Sequence, residues 1–479
     1  MNMSSDIKGT ALKWITQNEG HLVEISDKIW GFAELGFQEY KSSGLLADEL
    51  KRNGFEVKFG VAGIPTAFVA TYGSGHPTIG VMGEYDALSG LSQKAVPIRE
   101  PVTEGAPGHG CGHNIHGTSG MAGVVAAKIT MQAAGIKGTV KFFGCPAEEM
   151  GSGKVFMVRD GIFDGVDAVM SHHPSDMNYA TLASSNANNA VKFHFYGVAA
   201  HAAASPDQGR SAMDAIELMN VGVNFLREHI IQEARIHYVV ENGGSQPNVV
   251  PAYARSWYMI RAPERDQVDF IYDWVLDIAK GAAQMTRTSY KVEFLKGVYN
   301  KMSNKTLSEL VASNMRKIGT PTYDEKELSF AREISKSIST ETKRSELRKS
   351  KRLDWEKLIV ELDRTVPDAW DEGEVSAGST DVSDVSWKTP TMEFETVCKA
   401  LGTPGHSWQA TAQHGMGIGH KGLIFASKTM AACVLDLLVN PQLLKRAQDE
   451  HRDKLAGRTY KPPIPPDLKP PLQMFTTKP

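Results

Sequence analysis

The chain has 479 residues, of which 41% are hydrophobic and 22% are charged, and its formal net charge is −3. This length is too great for one ordinary domain and sufficient for two or three domains with sizeable cores. The small net charge gives no reason to expect nucleic acid as a partner. Residues 1–20 lack the apolar core of a signal peptide, and we find no uninterrupted apolar run long enough to span a bilayer, so no membrane association is expected.

The cysteine pattern points to a reducing compartment. The chain has 4 cysteines, and their scattered positions do not form the framework of a disulfide-rich domain. We therefore expect a cytoplasmic protein in which a thiolate is available to bind a metal ion.

The first part of the chain alternates predicted helices with predicted strands. Apolar residues at helical spacing predict helices over 7–32 and 42–53. Short apolar runs between turn residues predict strands over 55–59, 66–72, 78–82, 138–145 and 166–170, and small apolar residues predict a helix over 118–134. This alternation favours an α/β fold with a largely parallel mixed sheet flanked by helices.

The pattern changes after residue 186. Strands are predicted over 190–196, 235–241, 253–261 and 289–295, and helices over 211–228 and 265–284. The order β-α-β-β-α-β is the ferredoxin-like pattern. We therefore interpret 187–300 as a small domain inserted in a larger one, which comprises 1–186 and 301–479 and resumes with a helix over 307–318, a strand over 392–396 and a helix over 420–438.

Two later segments stand apart from these elements. Residues 325–363 are rich in Lys, Arg, Glu and Ser, and the interspersed acids favour a solvated helical excursion over a basic binding patch. The proline-rich tail, 462–479, is expected to wrap a surface or to be disordered.

The most informative motif is Gly-His-Gly-Cys-Gly-His-Asn-Ile-His-Gly at 108–117. A cysteine thiolate and a neutral histidine are ligands for zinc-like cations, and in an extended segment Cys111 and His113 would point to the same side. We expect His109 and His116 to support the ligands or to face solvent. The alternative interpretation is a flexible loop of solvated histidines, which the further ligand types at later strand ends argue against.

Further candidate ligands follow the predicted strands, where sites in open α/β sheets lie. Glu148 and Glu149 are neighbours whose side chains should point apart, so one can bind metal while the other faces a water molecule. In the His172-His173 doublet, the strand phase and the following proline favour His173 as the ligand. His406 lies on a later loop.

Two other features near these residues have simpler interpretations. Glu84 and Asp86 end a strand, and we interpret them mainly as residues of the turn. The run Gly-Ser-Gly-Lys at 151–154 resembles part of a phosphate-binding loop, but the full spacing of that motif is absent.

Together the candidate ligands suit a pair of divalent cations better than one tetrahedral ion. They offer N, O and S donors, and they are Cys111, His113, Glu149, His173 and His406. Paired metals can polarise a carbonyl and lower the pKa of a shared water. Glu148 would accept the proton of that water and pass it to the leaving amine, which is the chemistry of amide hydrolysis.

The motifs resemble those of the M20 metallopeptidase superfamily, in its branch of amidohydrolases and aminoacylases that use Cys-Gly-His in the first metal motif. They occur in family order over nearly the whole chain. They are Glu-Leu-Gly-Phe at 34–37, Gly-Cys-Gly-His-Asn at 110–114, Pro-Ala-Glu-Glu at 146–149, His-Pro at 173–174, Ala-His-Ala-Ala at 200–203, Pro-Asn-Val-Val-Pro at 247–251, Gly-Ser-Thr-Asp at 378–381 and Gly-His-Ser-Trp at 405–408.

The resemblance implies a di-metal catalytic domain, with two Zn or Mn ions per chain, and a ferredoxin-like lid through which the protein dimerises. Cys111 would stand where relatives use a bridging carboxylate, and Glu148 would be the general acid and base. His201, on the lid, matches a residue that contacts substrate, often in the partner subunit's site. Asn248 and Arg261 match lid positions that meet a substrate carboxylate.

The implied activity is hydrolysis of an N-acyl amino acid, and an N-aroyl glutamate such as p-aminobenzoyl-glutamate is the best single substrate. One alternative is a dipeptidase or carboxypeptidase of the same superfamily. Another is a silent metal-binding scaffold subunit that needs a partner chain. Metal identity and the choice between a homodimer and a related partner subunit stay open, and 325–363 or the long loop 89–107 could influence specificity.

Overall fold

The structure is a computed structural model and describes residues 3–352, 355–357 and 361–474. Its strands are β1 (Glu56–Phe59), β2 (Phe68–Ser74), β3 (Thr78–Glu84), β4 (Gly138–Cys145), β5 (Ala168–Ser175), β6 (Ser184–Ser185), β7 (Ala187–Tyr196), β8 (Arg235–Asn242), β9 (Tyr253–Ala262), β10 (Ser289–Val298), β11 (Val375–Ser376) and β12 (Thr391–Val397).

Its α-helices are α1 (Met3–Gln17), α2 (Glu19–Phe32), α3 (Tyr40–Arg52), α4 (His113–Ala134), α5 (Glu148–Gly151), α6 (Gly153–Arg159), α7 (Ala212–Leu226), α8 (Arg265–Thr286), α9 (Lys305–Ile318), α10 (Glu325–Lys336), α11 (Thr340–Lys349), α12 (Val382–Ser386), α13 (Trp408–His414), α14 (Gly417–Val439) and α15 (Pro441–Leu455).

A six-stranded sheet forms the centre of the molecule, in the order β1-β2-β4-β3-β5-β12. The four strands β4, β3, β5 and β12 run parallel to one another. At one side of them, β2 is antiparallel to β4, and β1 is antiparallel to β2. Every residue of β3 is buried, as expected for a strand covered by helices on both faces. The predicted α/β fold with a mixed, largely parallel sheet is confirmed.

Two long helices of small and apolar residues, α4 and α14, pack together against this sheet. Gly123 of α4 permits the close approach, because a Cβ there would lie 2.5 Å from Cγ of Met430 on α14. By length and composition α14 is long and apolar enough to cross a membrane, although Lys421, Lys428 and Asp436 interrupt its apolar residues. In this fold 83% of its most apolar stretch is buried, as in the core helix of a globular domain.

A second, four-stranded sheet has the order β10-β7-β9-β8, with every pair antiparallel. The helices α7 and α8 cover one face of this sheet and enclose a separate apolar core that includes Val191, Phe193 and Tyr258. The elements follow in the order β-α-β-β-α-β along the chain, within a few residues of the predicted bounds.

Some local predictions were wrong. The helix predicted over 7–32 is two helices, because the chain turns at Asn18. The strand predicted to end at 170 continues to Ser175, so the histidine doublet lies within β5 and not beyond it.

The charged segment forms two helices, of which α10 buries Ala331 and Ile334, so the segment is only partly solvated. Residues 353–354 and 358–360 of this segment lie outside the described residues. The tail packs on the surface through Ile464 as far as it is described, and 475–479 lie beyond that part.

Candidate metal centre

The five predicted ligands come together at the carboxyl edge of the parallel strands. They form two groups that share the thiol of Cys111, and the donor atoms within each group all lie within 4.8 Å of one another. The first group adds His113 and His173, and Sγ of Cys111 lies 3.2 Å from Nε2 of His173. The second adds Glu149 and His406, whose Oε2 and Nε2 atoms are 3.4 Å apart.

The backbone brings these side chains together through left-handed conformations. Gly112 has φ 82°, and His113 is already the first residue of α4, so the prediction of an extended Cys-Gly-His segment was wrong. A Cβ at Gly112 would lie 2.9 Å from the Pro174 side chain, so both the conformation and the space require glycine. Ala147 (φ 58°) and His406 (φ 52°) adopt the same region without being glycine, a strained arrangement that is common at functional sites.

Two buried donor atoms in this cluster make no hydrogen bond with any described residue. They are Nε2 of His113 and Oε1 of Glu149, which lie 4.0 Å apart, and Nε2 of His113 also lies 3.2 Å from Oε2 of Glu84. Buried polar atoms are nearly always hydrogen-bonded, so an imidazole nitrogen that faces carboxylate oxygens without a hydrogen bond requires an explanation. A divalent cation between them supplies one, since imidazole nitrogen and carboxylate oxygen are both metal donors. The donor set therefore fits a metal centre.

The surrounding charges shift the titration of the candidate ligands. Burial opposes protonation of His113, but the charges of Cys111 and Asp86 outweigh burial and raise the pKa of His113 well above its ordinary value. Burial raises the pKa of Glu149 to about 7, although the charge of His113 lowers it. Burial, and then the charge of Glu149, raise the pKa of the Cys111 thiol. A cation that binds here therefore displaces protons.

The histidine doublet divides its roles. His173 faces the thiol of Cys111, as the strand phase predicted. His172 points to the other side, where its ring nitrogens lie 2.9 Å from Oγ of Ser119 and 2.8 Å from Oγ1 of Thr396. Burial holds the pKa of His172 well below its ordinary value, which suits a neutral structural histidine.

The other two histidines of the glycine-rich motif are buried, so the option that they face solvent was wrong. Nδ1 of His116 accepts the backbone N–H of Glu84 at 3.0 Å, and Nε2 of His109 lies 3.0 Å from the carbonyl oxygen of Ile29. Both residues support the start of α4.

Asp86 has a larger role than that of a turn residue, which was our interpretation from sequence. Its Oδ1 lies 2.8 Å from Nδ1 of His113, and its Oδ2 accepts the backbone N–H of Glu149 at 3.0 Å. A carboxylate on the far nitrogen of a metal-binding imidazole is a common arrangement that fixes the ring and its tautomer. The signal was present, because Asp86 follows a strand that ends at the same edge as the ligands.

Lys154 forms a buried ion-pair network beside the cluster. Its Nζ lies 2.6 Å from Oε1 of Glu84 and 2.6 Å from Oδ1 of Asp381, and all three side chains are buried. Burial disfavours the ammonium, but the charges of Asp381 and Glu84 outweigh burial and raise the pKa of Lys154 well above its ordinary value. This lysine binds carboxylates and takes no part in a phosphate loop, in agreement with the missing spacing of that motif.

A cleft of about 500 Å³ opens above the cluster, between the two sheets. Glu148 lies in it, and burial, followed by the charges of Glu84 and Glu149, raises the pKa of Glu148 well above its ordinary value. Arg261, on β9, lines the opposite side, and its Nη1 lies 3.5 Å from Oγ of Ser379. A larger cavity of about 970 Å³ beside α10 and α11 contains none of the predicted site residues.

His201 and Asn248 do not reach this cleft. Both are exposed, and they lie together, because the residue after His201 donates its backbone N–H to the carbonyl oxygen of Asn248 at 3.0 Å. Nδ1 of His201 accepts backbone N–H groups from Ala203 and Ala204. Within one chain the structure therefore assembles the ligands, Glu148 and Arg261, and leaves these two residues outside.

Comparison with known proteins decides the family. The family model described as peptidase family M20/M25/M40 matches residues 80–342. The chain belongs to this M20 family. The predicted resemblance is thereby confirmed, as is the assignment to enzymes that hydrolyse amide bonds.

Individual M20 relatives agree with this assignment. Over 458 residues the chain is 43% identical to one of two named subunits of the p-aminobenzoyl-glutamate hydrolase of Escherichia coli (strain K12), and the match covers 93% of this chain and 95% of that protein. It is 27% identical over 311 residues to the other named subunit of the same hydrolase, covering 54% of this chain and 70% of that protein.

A solved M20 structure shows the same fold. The Bacillus subtilis YXEP protein, described as a dinuclear metal binding peptidase from the M20 family, superposes with a TM-score of 0.57 at 16% identity. The match covers 88% of this chain and 99% of that one.

Proposed function

We propose that this chain is a di-metal amidohydrolase that releases the amino acid from an N-acyl amino acid, with p-aminobenzoyl-glutamate as the first substrate to test. The observation that carries the proposal is the pair of donor groups that share Cys111, with Glu148 in the cleft beside them. The substrate follows from the name of the relative that is 43% identical. The likeness to this hydrolase subunit favours neither of the two alternative functions, the dipeptidase and the silent scaffold subunit.

The proposed metal ligands divide between two ions. Cys111, His113 and His173 would hold one ion, and Cys111, Glu149 and His406 would hold the other. Bound there, the two ions would polarise the amide carbonyl and lower the pKa of a water molecule. Thiolate and imidazole suit Zn, whereas carboxylate and imidazole also suit Mn, so we propose either metal.

Glu148 is proposed as the group that moves the proton. It adjoins Glu149 in the chain and lines the cleft, and it belongs to a different donor group, with Glu84 and His113. As a carboxylate in the cleft beside the proposed ligands, it would take a proton from the attacking water. The same proton then passes to the nitrogen of the departing amino acid.

We propose that 187–300 is a ferredoxin-like lid and dimerisation domain, and that 1–186 and 301–479 form the catalytic domain. The lid sheet supports this division, because it has its own core and presents Arg261 to the cleft. We assign Arg261 to the carboxylate of the substrate. His201 and Asn248 would serve the site of a second subunit, which is either another copy of this chain or a related protein, as the two named subunits of the E. coli hydrolase suggest.

We also propose that the protein works in the cytoplasm. All four cysteines are free, and a reducing compartment keeps the proposed bridging thiolate available.

The test measures amino acid release from a panel of N-acyl amino acids that includes p-aminobenzoyl-glutamate. Wild type loaded with Zn or Mn, a chelated sample and Glu148→Gln are compared, and metal content is measured in each. We expect cleavage by wild type, none after chelation, and a loss of about 100-fold or more in Glu148→Gln with about two metals retained per chain. Activity of Glu148→Gln equal to wild type would refute the role of Glu148. Failure of metal-loaded wild type on the whole panel, also in the presence of a related subunit, would refute the proposed reaction.

A further inference from the structure

A bulge in β10 changes which side chains of the lid sheet face the cleft. Pairing with β7 is regular from Ser289 to Phe294, which lies opposite Val191, but the next paired residue is Lys296, opposite Ala190. Leu295 is therefore an extra residue. Side chains alternate strictly along a regular strand, so one inserted residue reverses the faces of everything that follows.

The consequence for Lys296 follows from its partners. Before the bulge, Phe294 shares the face of Val191, which packs under the lid helices. After the bulge, Lys296 shares the face of Ala190, and Val298 shares that of Asn188. Both residues line the cleft, together with Asn188 itself. Without the bulge Lys296 would point into the apolar core of the lid.

Lys296 has no counter-ion in the part of the chain that the structure describes. Its side chain makes no ion pair and no hydrogen bond there, whereas Nζ of Lys301, which also lines the cleft, lies 3.6 Å from a carboxylate oxygen of Glu393. Burial lowers the pKa of Lys296, and the charges of Glu148 and Asp381 oppose that shift. An ammonium held in a cleft without a partner is suited to an anion that arrives with the substrate.

Lys296 and Arg261 occupy different strands on either side of β7. Neighbouring strands are about 4.8 Å apart, so β10 and β9, which are separated by β7, lie about 10 Å apart. The two cations therefore occupy different positions along the cleft. Neither pairs with a carboxylate among the described residues. The lid sheet therefore presents two separate cations, Arg261 and Lys296, to a cleft that is otherwise rich in acidic side chains.

We infer that Lys296 binds a second carboxylate of the substrate, in the side chain of the amino acid that is released. The inference rests on the proposed function and narrows its substrate class to N-acyl derivatives of acidic amino acids, with Arg261 on one carboxylate and Lys296 on the other. Lys296 is then a specificity-determining residue, and the bulge at Leu295 is the feature that places it.

The experiment compares p-aminobenzoyl-glutamate with p-aminobenzoyl-glutamine, whose side chains have nearly the same shape but end in a carboxylate and in a neutral amide, respectively. Wild type, Lys296→Met, Lys296→Arg and the control Lys291→Met are assayed with metal loaded. Lys291 is an exposed lysine of the same strand. We expect wild type to prefer the glutamate substrate in kcat/KM by about tenfold or more, Lys296→Met to lose that preference mainly through KM, and Lys296→Arg to retain most of it. Lys291→Met should equal wild type.

Two results would overturn the inference. One is an unchanged preference in Lys296→Met, because a lysine that only balances the charge of Glu148 would affect both substrates equally. The other is a wild type that cleaves the glutamine substrate as well as the glutamate substrate.

Isothermal titration calorimetry tests the role of Lys296 independently of the proposed reaction, because it measures binding alone. Binding of N-acetyl-glutamate and N-acetyl-glutamine to metal-loaded wild type and Lys296→Met needs no turnover. If wild type cleaves nothing but binds N-acetyl-glutamate about tenfold more tightly, and Lys296→Met abolishes the difference, then the reaction is wrong and the role of Lys296 stands. Equal binding of the two ligands by wild type, or no binding of either at millimolar concentration, overturns the role of Lys296.

Discussion

The carboxylate of Asp86 joins two of the proposed metal ligands, with Oδ1 2.8 Å from Nδ1 of His113 and Oδ2 accepting the backbone N–H of Glu149. An ionised carboxylate only accepts hydrogen bonds, so the proton of the imidazole stays on Nδ1 and Nε2 is left for a cation. One buried acid thus fixes the tautomer of one ligand and the backbone of another.

Replacing Asp86 should therefore weaken metal binding without removing a ligand. In Asp86→Asn we expect the affinity for Zn to fall by about 10- to 100-fold, as is usual when the partner of a metal-binding histidine is changed. The measurement is competition with a chromophoric chelator on metal-free protein. Asp48→Asn, an exposed acid on α3, is the control and should leave affinity unchanged. An affinity of Asp86→Asn equal to that of wild type would show that the carboxylate does not orient the ligands.

Lys154 should contribute strongly to stability, because it is the buried cation between two buried acids. In Lys154→Met, Glu84 and Asp381 lose this cation, and breaking a buried pair in this way typically costs about 3–5 kcal/mol. We expect the free energy of unfolding to fall by this order, measured by urea denaturation with chelator present so that metal binding does not contribute.

The control for that experiment is Lys51→Met, which removes an exposed lysine paired with an exposed acid. Such surface pairs contribute little, so we expect a change of at most about 0.5 kcal/mol. If Lys154→Met behaved like Lys51→Met, the network would have no structural importance.

Much of this architecture was predictable from sequence, because it depends on short-range patterns. The buried strands have continuous apolar runs, and the order of the elements within 187–300 follows from alternation and helical spacing. The meeting of the proposed ligands was predictable in part, since Glu149 and His173 lie near the carboxyl ends of parallel strands that share one edge.

What could not be predicted depends on pairing between distant segments. The bulge that turns Lys296 into the cleft is a mismatch between β10 and β7, and Leu295 gives no sign of it in the sequence. The network of Lys154 joins three segments, and the carboxylate of Asp86 acquires its role only because α4 begins at His113. The exposed position of His201 likewise depends on how the second sheet is placed.

Asp384 should make stability depend on pH between about 5 and 7. It is buried, accepts the hydroxyl of Tyr460 and the backbone N–H of Tyr299, and burial raises its pKa to about 7. The folded state therefore binds a proton that the unfolded state, with an ordinary carboxyl pKa near 4, has already lost. The contribution of this carboxyl to stability is therefore complete below about pH 4 and is lost as the pH rises towards 7.

In that window the free energy of unfolding falls by at most about 1.4 kcal/mol for each pH unit. Between pH 5 and 7 wild type should therefore lose up to about 3 kcal/mol of unfolding free energy relative to Asp384→Asn. Asn imitates the protonated acid and does not titrate. Urea denaturation of both proteins at several pH values measures the difference. Parallel curves for the two proteins would show that Asp384 titrates normally in the folded state.

His201 should act only in a neighbouring subunit's cleft, because it is exposed and does not line the cleft of its own chain. Two variants test this if the protein is a homodimer. His201→Ala has an intact metal centre, whereas Glu148→Gln has an intact His201, and each alone should be inactive or nearly so. In a symmetric dimer the same two surfaces meet twice, so a mixed dimer pairs the intact centre of one chain with the intact His201 of the other.

We therefore expect a mixed dimer, co-expressed with two different tags and purified through both, to recover about half of wild-type activity, because one of its two sites is complete. The matched control is a mixed dimer of His201→Ala with wild type, which should show the same activity. If the mixed dimer of the two variants stays inactive while this control is active, His201 serves its own chain, and the lid must move it into the cleft. If the protein is monomeric alone, the same pair of variants has to be tested with a related subunit present, and restoration of activity by that subunit would show that the complete site is formed between unlike chains.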